Sequence, residues 1–147
     1  EGFDGDPMAL ALAYYEQFIP WVCALRPEIV GHLDLISKFN RNAEFFDEDA
    51  ARYRSLCLEA VEAVLRADLV IEVNTGAICR GWQDRPYPSA LLLRRINEAG
   101  GRVTVTSDAH SAADLTFGFE KALALLRWVG FRSVWELTAN GWVERAL

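Results

Sequence analysis

Apolar positions along the chain follow two rhythms, one helical and one extended. Asp6-Pro7 suits an N-cap followed by a first helical residue. Met8, Leu10, Ala11, Tyr14, Tyr15, Phe18 and Ile19 then recur at helical spacing. Pro20 predicts a kink or stop, with Trp21 to Leu25 resuming for a turn or two. After Arg26-Pro27, residues Glu28 to His32 read as a short buried strand. A second helix is predicted over Glu48 to Arg66, capped by Asp47, with Tyr53, Leu56, Cys57, Ala60, Val61, Val64 and Leu65 on its apolar face. Leu69 to Asn74 is a second strand whose apolar run predicts burial on both faces, as in parallel sheets.

A long loop, Thr75 to Tyr87, leads to a third helix opened by Pro88-Ser89, carrying Leu91, Leu92, Leu93 and Ile96 and closed by Gly100-Gly101. Val103 to Thr106 is a third strand, Ala113 to Val129 a fourth helix, and Ser133 to Leu137 a fourth strand. A short helix or turn with Trp142 and Val143 ends the chain, and Glu1 to Asp6 is an acidic-glycine lead-in. Strand and helix alternate with a unit of about thirty to forty residues, which predicts an α/β fold with about four parallel strands.

Composition narrows the function classes. With 147 residues and 52% hydrophobic content the chain can build one domain with a real core. A net charge of -6 argues against non-specific nucleic-acid binding, which needs basic stripes, but leaves a small anionic substrate open. Cys23, Cys57 and Cys79 are odd in number and show no CxxC spacing, which fits reduced thiols. Cys23 and Cys57 fall on apolar helix faces and are expected in the core. No apolar run reads as long enough to span a bilayer and no secretory leader is visible, so a cytoplasmic protein without a membrane role is expected. A first residue of Glu, not Met, suggests processing or a fragment.

Candidate chemistry gathers at predicted strand ends, where parallel α/β folds bind ligands. Val103 to Thr106 runs into Ser107-Asp108-Ala109-His110. On an extended segment Asp108 and His110, two apart, would project together, a start on a divalent-metal site. The same residues also read as a helix cap and a solvated imidazole. His32 and Asp34 repeat the spacing after the first strand. Asp34 reads equally as a carboxylate orienting His32 and as a turn or cap residue. Glu72, at the end of the second strand, points either into the site or into the layer beneath, and reads most simply as a salt-bridge partner. Arg80, in the Gly76-containing loop, is the best candidate for gripping phosphate, because a planar guanidinium bonds two oxygens at once. Lys38 and Arg41 are lesser candidates.

Thr106-Ser107-Asp108-Ala109-His110 resembles the last signature of the polymerase-and-histidinol-phosphatase (PHP) superfamily of metal-dependent phosphoesterases. Gly31-His32-Leu33-Asp34-Leu35-Ile36-Ser37-Lys38-Phe39 resembles the GHxDLxxKF segment of its histidinol-phosphatase-type members. Asn74-Thr75-Gly76, Arg80 and Tyr87-Pro88-Ser89 are similar to a loop of the bacterial histidinol phosphatases. The resemblance implies part of a distorted (β/α)7 TIM-like barrel, with His32, Asp108 and His110 as catalytic metal ligands for zinc, iron or manganese. It implies hydrolysis of a phosphomonoester, in this branch L-histidinol phosphate, with clustered metals generating hydroxide and neutralising the leaving group.

One departure is large. Such proteins begin with an HxH motif, whereas His32 and His110 are the two histidines of this chain. The chain therefore matches the C-terminal half of the fold as a single, apparently truncated PHP-type domain, residues 1–147, with an incomplete metal cluster. Three readings stand: half of a histidinol-phosphatase-like enzyme, a non-catalytic fragment stable by self-association, or another PHP-branch phosphoesterase, against which the Arg80-to-Ser89 loop argues. Val30, Ile71, Val105 and Val134 lie on strands that half a barrel would leave uncovered. An apolar, strand-lined interface is expected, with a second copy or with the missing half.

Overall fold

Asp6 caps the first helix as expected: its Oδ1 accepts the N–H groups of Met8 at 2.9 Å and Ala9 at 3.1 Å. The computed structural model describes residues 3–147; Glu1 and Gly2 of the lead-in lie outside the described residues. Helix α1, Pro7–Leu25, runs through Pro20 without stopping and ends at Arg26 in the left-handed region, φ 45°. Pro20 removes one N–H donor, but the residues around it keep their helical bonds and pack on the neighbouring helix.

The remaining elements follow as strand β1 (Ile29–Val30), helix α2 (Ala51–Arg66), strand β2 (Val70–Asn74) and a one-turn helix α3 (Gly76–Cys79). Helix α4 (Ala90–Glu98), strand β3 (Arg102–Thr106), helix α5 (Phe119–Val129) and strands β4 (Ser133–Thr138) and β5 (Gly141–Ala146) complete the chain. Helix α2 starts later than predicted, because Asp47 caps a preceding turn, accepting the Asp49 N–H at 2.9 Å. Helix α5 starts at Phe119 because Gly118, at φ 77°, separates it from a 3-10 turn over Ala112–Asp114.

Strands β1, β2 and β3 form a parallel sheet in that order, with Val30 beside Ile71 and Glu72 beside Thr104. Alternation sorts its side chains onto two unlike faces. Val30, Ile71, Val73, Val103 and Val105 join the core, where α1, α2, α4 and α5 pack in succession. Val70, Glu72, Asn74, Thr104 and Thr106 share the other face; Val70, Asn74 and Thr104 are buried there, so β2 is buried on both faces as expected, the second face being largely polar.

The fourth strand departs from the parallel pattern. β4 and β5 form an antiparallel hairpin that lies against β3 without joining its ladder. Ala139-Asn140 makes the turn between Thr138 and Gly141, with Gly141 opening β5 at φ 98° and the Thr138 hydroxyl donating to its carbonyl at 2.8 Å. The terminal stretch with Trp142 and Val143 is thus a strand, not a helix. The architecture is α/β with a mixed parallel and antiparallel strand core, and no barrel closes among the described residues.

Val30, Ile71 and Val134 are buried within the chain itself, and Val105 is half-buried. Exposed apolar side chains lie mainly on helices and loops, among them Leu10, Trp21, Leu25, Phe39 and Phe45. Cys23 is exposed on α1, not in the core, while Cys57 is buried and all three cysteines are free. By length and composition α1 is apolar enough to cross a membrane, with 19 residues and a mean hydropathy of 1.2 over its best window, contrary to the reading of the sequence. Its Ala11, Leu12, Tyr15 and Val22 are nevertheless buried in the core side of the helix pair with α2.

Candidate functional site

His32, Arg80, Asp108 and His110 meet at the C-terminal edge of the parallel sheet, around a cavity of about 100 Å³ also lined by Lys38, Asn74, Trp82 and Tyr87. The convergence arises differently from the expected alternation along extended strands. His32 sits at φ 55° and Asp108 at φ 50°, so the backbone turns immediately after β1 and shortly after β3. A non-glycine residue at positive φ is held there by its surroundings, and such strain gathers at functional sites.

For His32 the surroundings are explicit. Glu72 Oε2 accepts its backbone N–H at 3.0 Å, and the Tyr14 hydroxyl donates to its carbonyl at 2.6 Å. The His32 ring lies 3.5 Å from Glu72 Oε2 and 3.5 Å from Asn74 Nδ2. Glu72 Oε1 accepts the Thr106 hydroxyl at 2.7 Å. One carboxylate thus ties the turn after β1 to the end of β3. Its main partners are a backbone N–H and a hydroxyl, so the salt-bridge reading describes only part of its role.

At the other strand end, Arg80 Nη2 donates to the Asp108 carbonyl at 2.8 Å and to Asp108 Oδ2 at 3.1 Å. The same nitrogen lies 3.1 Å from His110 Nε2, and His110 Nε2 is 3.8 Å from Asp108 Oδ1. Gly76 makes this approach possible. A Cβ there would run into the Arg80 guanidinium and would stand 3.0 Å from Asn74 Oδ1 and 3.1 Å from the Asp108 Cβ. The Asn74 side chain folds back to accept the Gly76 N–H at 2.8 Å, which fixes the start of α3.

The surrounding loops are tied by polar side chains. Thr75 donates to the Phe117 carbonyl at 2.6 Å and Ser107 to the Leu115 carbonyl at 2.9 Å. Asp34 is fully buried and turned away from the cavity, with Oδ2 accepting the Ser89 N–H at 2.9 Å and lying 3.8 Å from Arg85 Nη1. Burial pushes its carboxyl up to about 6, against the opposing pull of Arg85 and the Ser89 N–H. It neither orients His32 nor caps a turn with its side chain. Arg85 in turn donates to Glu48 at 2.7 Å.

Of the residues singled out from sequence, His32, Arg80, Asp108, His110 and Lys38 share the cavity, whereas Arg41 is exposed on a separate turn outside it. Trp82, in the loop after β2, and Asn74, the last residue of β2, line it without having been given a role; their position at the C-terminal end of a strand was the available signal. Cys79 lies beside Asp114, and desolvation followed by that carboxylate raises its thiol, which opposes a nucleophilic role.

The donor chemistry suits a transition metal, but the arrangement does not supply a shell. No group of three or more His, Cys, Asp or Glu side chains able to hold a metal ion occurs among the described residues. The donors come as two pairs, His32 with Glu72 and Asp108 with His110, and each is already engaged by neighbouring protein groups. Arg80 brings a guanidinium to the same cavity, with its Nη2 on Asp108 and beside His110.

No family model matches the chain. It is similar to the probable histidinol-phosphatase of Schizosaccharomyces pombe, 25% identical over 130 residues, covering 88% of this chain and 42% of that protein. The probable histidinol-phosphatase of Deinococcus radiodurans is 32% identical over 110 residues, 73% of this chain and 38% of that protein. The histidinol-phosphatase of Bacillus subtilis is 24% identical over 110 residues, 74% and 40% respectively. The chain spans about two fifths of the length of the curated relatives it matches. These similarities support a general relationship to the PHP superfamily.

Proposed function

We propose that the chain forms the phosphate-gripping part of a PHP-type phosphoesterase site and that alone it binds a phosphomonoester without hydrolysing it. The carrying observation is Arg80, whose guanidinium lies on Asp108 and His110 at the cavity where His32 also opens. A planar guanidinium can donate to two phosphoryl oxygens, and exchanging part of its contact with Asp108 for a dianion keeps its charge compensated.

His32, Asp108 and His110 are offered as contributors to a larger divalent-metal cluster, of zinc, iron or manganese, whose other ligands lie beyond these residues. This is the reading of the chain as the C-terminal part of the family fold, completed by a further polypeptide segment or held in a self-associated form. The names of the matched relatives make L-histidinol phosphate the first substrate to try. Three free cysteines fit a reducing, cytoplasmic setting.

The test combines metal analysis of the purified chain, calorimetric titration with phosphate and L-histidinol phosphate, and a phosphate-release assay with added zinc or manganese. Phosphate binding lost in Arg80→Ala, with no turnover by the chain alone, is the expected outcome. Turnover by the isolated chain would overturn the non-catalytic part of the reading. Binding unchanged in Arg80→Ala would overturn the role of Arg80.

A further inference from the structure

Trp82 stands between the two loops that bound the cavity and meets two cations. The Lys38 ammonium lies 3.9 Å from the centre of its indole and the Arg80 guanidinium carbon 5.2 Å from it. Phe39 packs edge-on to the same ring, centroids 5.3 Å apart, with Lys38 also 5.0 Å from the Phe39 centroid. The placement is built in from both sides. Gln83, next to Trp82, donates its side-chain amide to the Ser37 carbonyl at 2.6 Å, and Ser37 precedes Lys38. The ring and the ammonium are therefore carried by one closed polar seam.

The charges do not balance there. Lys38 and Arg80 line the cavity against one carboxylate, Asp108, which Arg80 already contacts, and Lys38 pairs with no carboxylate among the described residues. Two like charges gathered around one indole ring and one cavity repel each other; the ring quadrupole offsets part of this, and an anion between them would offset the rest.

We infer that Trp82 is a positioning residue that holds Lys38 beside Arg80 as a two-cation subsite for a phosphate dianion. The inference rests on the phosphate reading above and extends it to a second cation and its support. Lys38 is thereby raised above Arg41, which no aromatic ring holds among the described residues and which lies outside the cavity.

Calorimetric titration of the full chain with inorganic phosphate tests it, with thermal melts run on every variant. Trp82→Phe, which keeps a π-face, should bind within about threefold of the parent. Trp82→Leu and Lys38→Met should each weaken binding about tenfold, and the double variant should be little weaker than either single one, because each removes the same contact. Arg41→Ala should bind as the parent does. Lys38→Met removes a half-exposed charge and keeps the apolar stem, so it reports even if Trp82→Leu melts early. Parent-like binding in Lys38→Met, or fully additive losses in the double variant, would overturn the inference while a loss in Arg80→Ala leaves the phosphate reading standing. Absence of phosphate binding by the parent chain would overturn both.

Discussion

Asp34 and Ser89 are joined by a 2.9 Å hydrogen bond from the Ser89 N–H to the buried Asp34 carboxylate, across 55 positions of sequence. The bond fastens the loop after β1 to the start of α4, and with Arg85 it anchors the far end of the loop that carries Arg80 and Trp82. Burying the carboxylate has a cost that the bond only partly offsets, and it appears in the titration of Asp34, which burial pushes up to about 6, above the ordinary carboxylate range. Because the folded state takes up the proton first, the charged group's penalty is present above about pH 6 and is relieved as pH falls towards the unfolded value. The difference amounts to about 3 kcal/mol across the whole window. Urea unfolding of the parent and of Asp34→Asn checks this: parent stability relative to the variant should rise as pH is lowered from 7.5 to 5. A pH-independent difference would contradict it. Asp34→Ala, which strands the Ser89 N–H and Arg85, should cost about 2–4 kcal/mol, the loss being greater at pH 5 than at pH 7.5.

Glu72 is predicted to act through hydrogen bonds more than through charge. An amide can still accept the His32 N–H with its oxygen and donate to the Thr106 hydroxyl with its nitrogen. Glu72→Gln should therefore lose less than about 1 kcal/mol, whereas Glu72→Leu, leaving both donors without an acceptor, should lose about 2–4 kcal/mol. Denaturant titration gives both numbers. Equal losses in the two variants would mean that the charge is what the site uses.

The helices and the three parallel strands were readable because apolar spacing, the Asp6-Pro7 cap and the Gly100 stop act locally. The positions of His32, Asp108, His110 and Arg80 on one rim followed from their places after strands. What was not readable was long-range. The direction of Asp34 depends on Ser89 and Arg85, and the turns at His32 and Asp108 depend on Glu72, Tyr14 and Arg80, none of them sequence neighbours. Burial of β2 on both faces was legible in Val70, Ile71 and Val73, and strand alternation puts Glu72 and Asn74 together on the more polar of the two. The hairpin is different: its turn, Ala139-Asn140 followed by Gly141, is local and its signal lies in neighbouring residues.

Gly76 gives a prediction about binding with little effect on folding. It has no positive φ to explain it; the constraint is room, since a Cβ would press on Arg80, Asn74 and Asp108. The Arg80 tip can swing aside, but the Asp108 Cβ moves only with its backbone. Gly76→Ala should therefore displace Arg80 and weaken phosphate binding about tenfold while the melting temperature shifts by only a few degrees. Titration calorimetry beside a thermal melt separates these. Parent-like affinity in Gly76→Ala would show that Arg80 reaches the anion from another position.

Assembly is the last expectation, and the structure moves it from the strands to a helix. Leu10, Tyr14, Phe18, Trp21 and Leu25 recur at helical spacing along α1, with Leu10, Trp21 and Leu25 exposed and the rings of Tyr14, Phe18 and Trp21 in contact in series. Such a stripe is too continuous to be scattered surface apolarity. Covering it with a second copy would contribute roughly 1.5–3 kcal/mol for each large side chain fully buried. We expect the purified chain to sediment as a dimer or larger species at micromolar concentration. Trp21→Glu with Leu25→Glu should shift it to the monomer without unfolding it, because both side chains point away from the α2 contact. If the parent chain sediments as a monomer across that range, the α1 stripe does not pair copies of this chain.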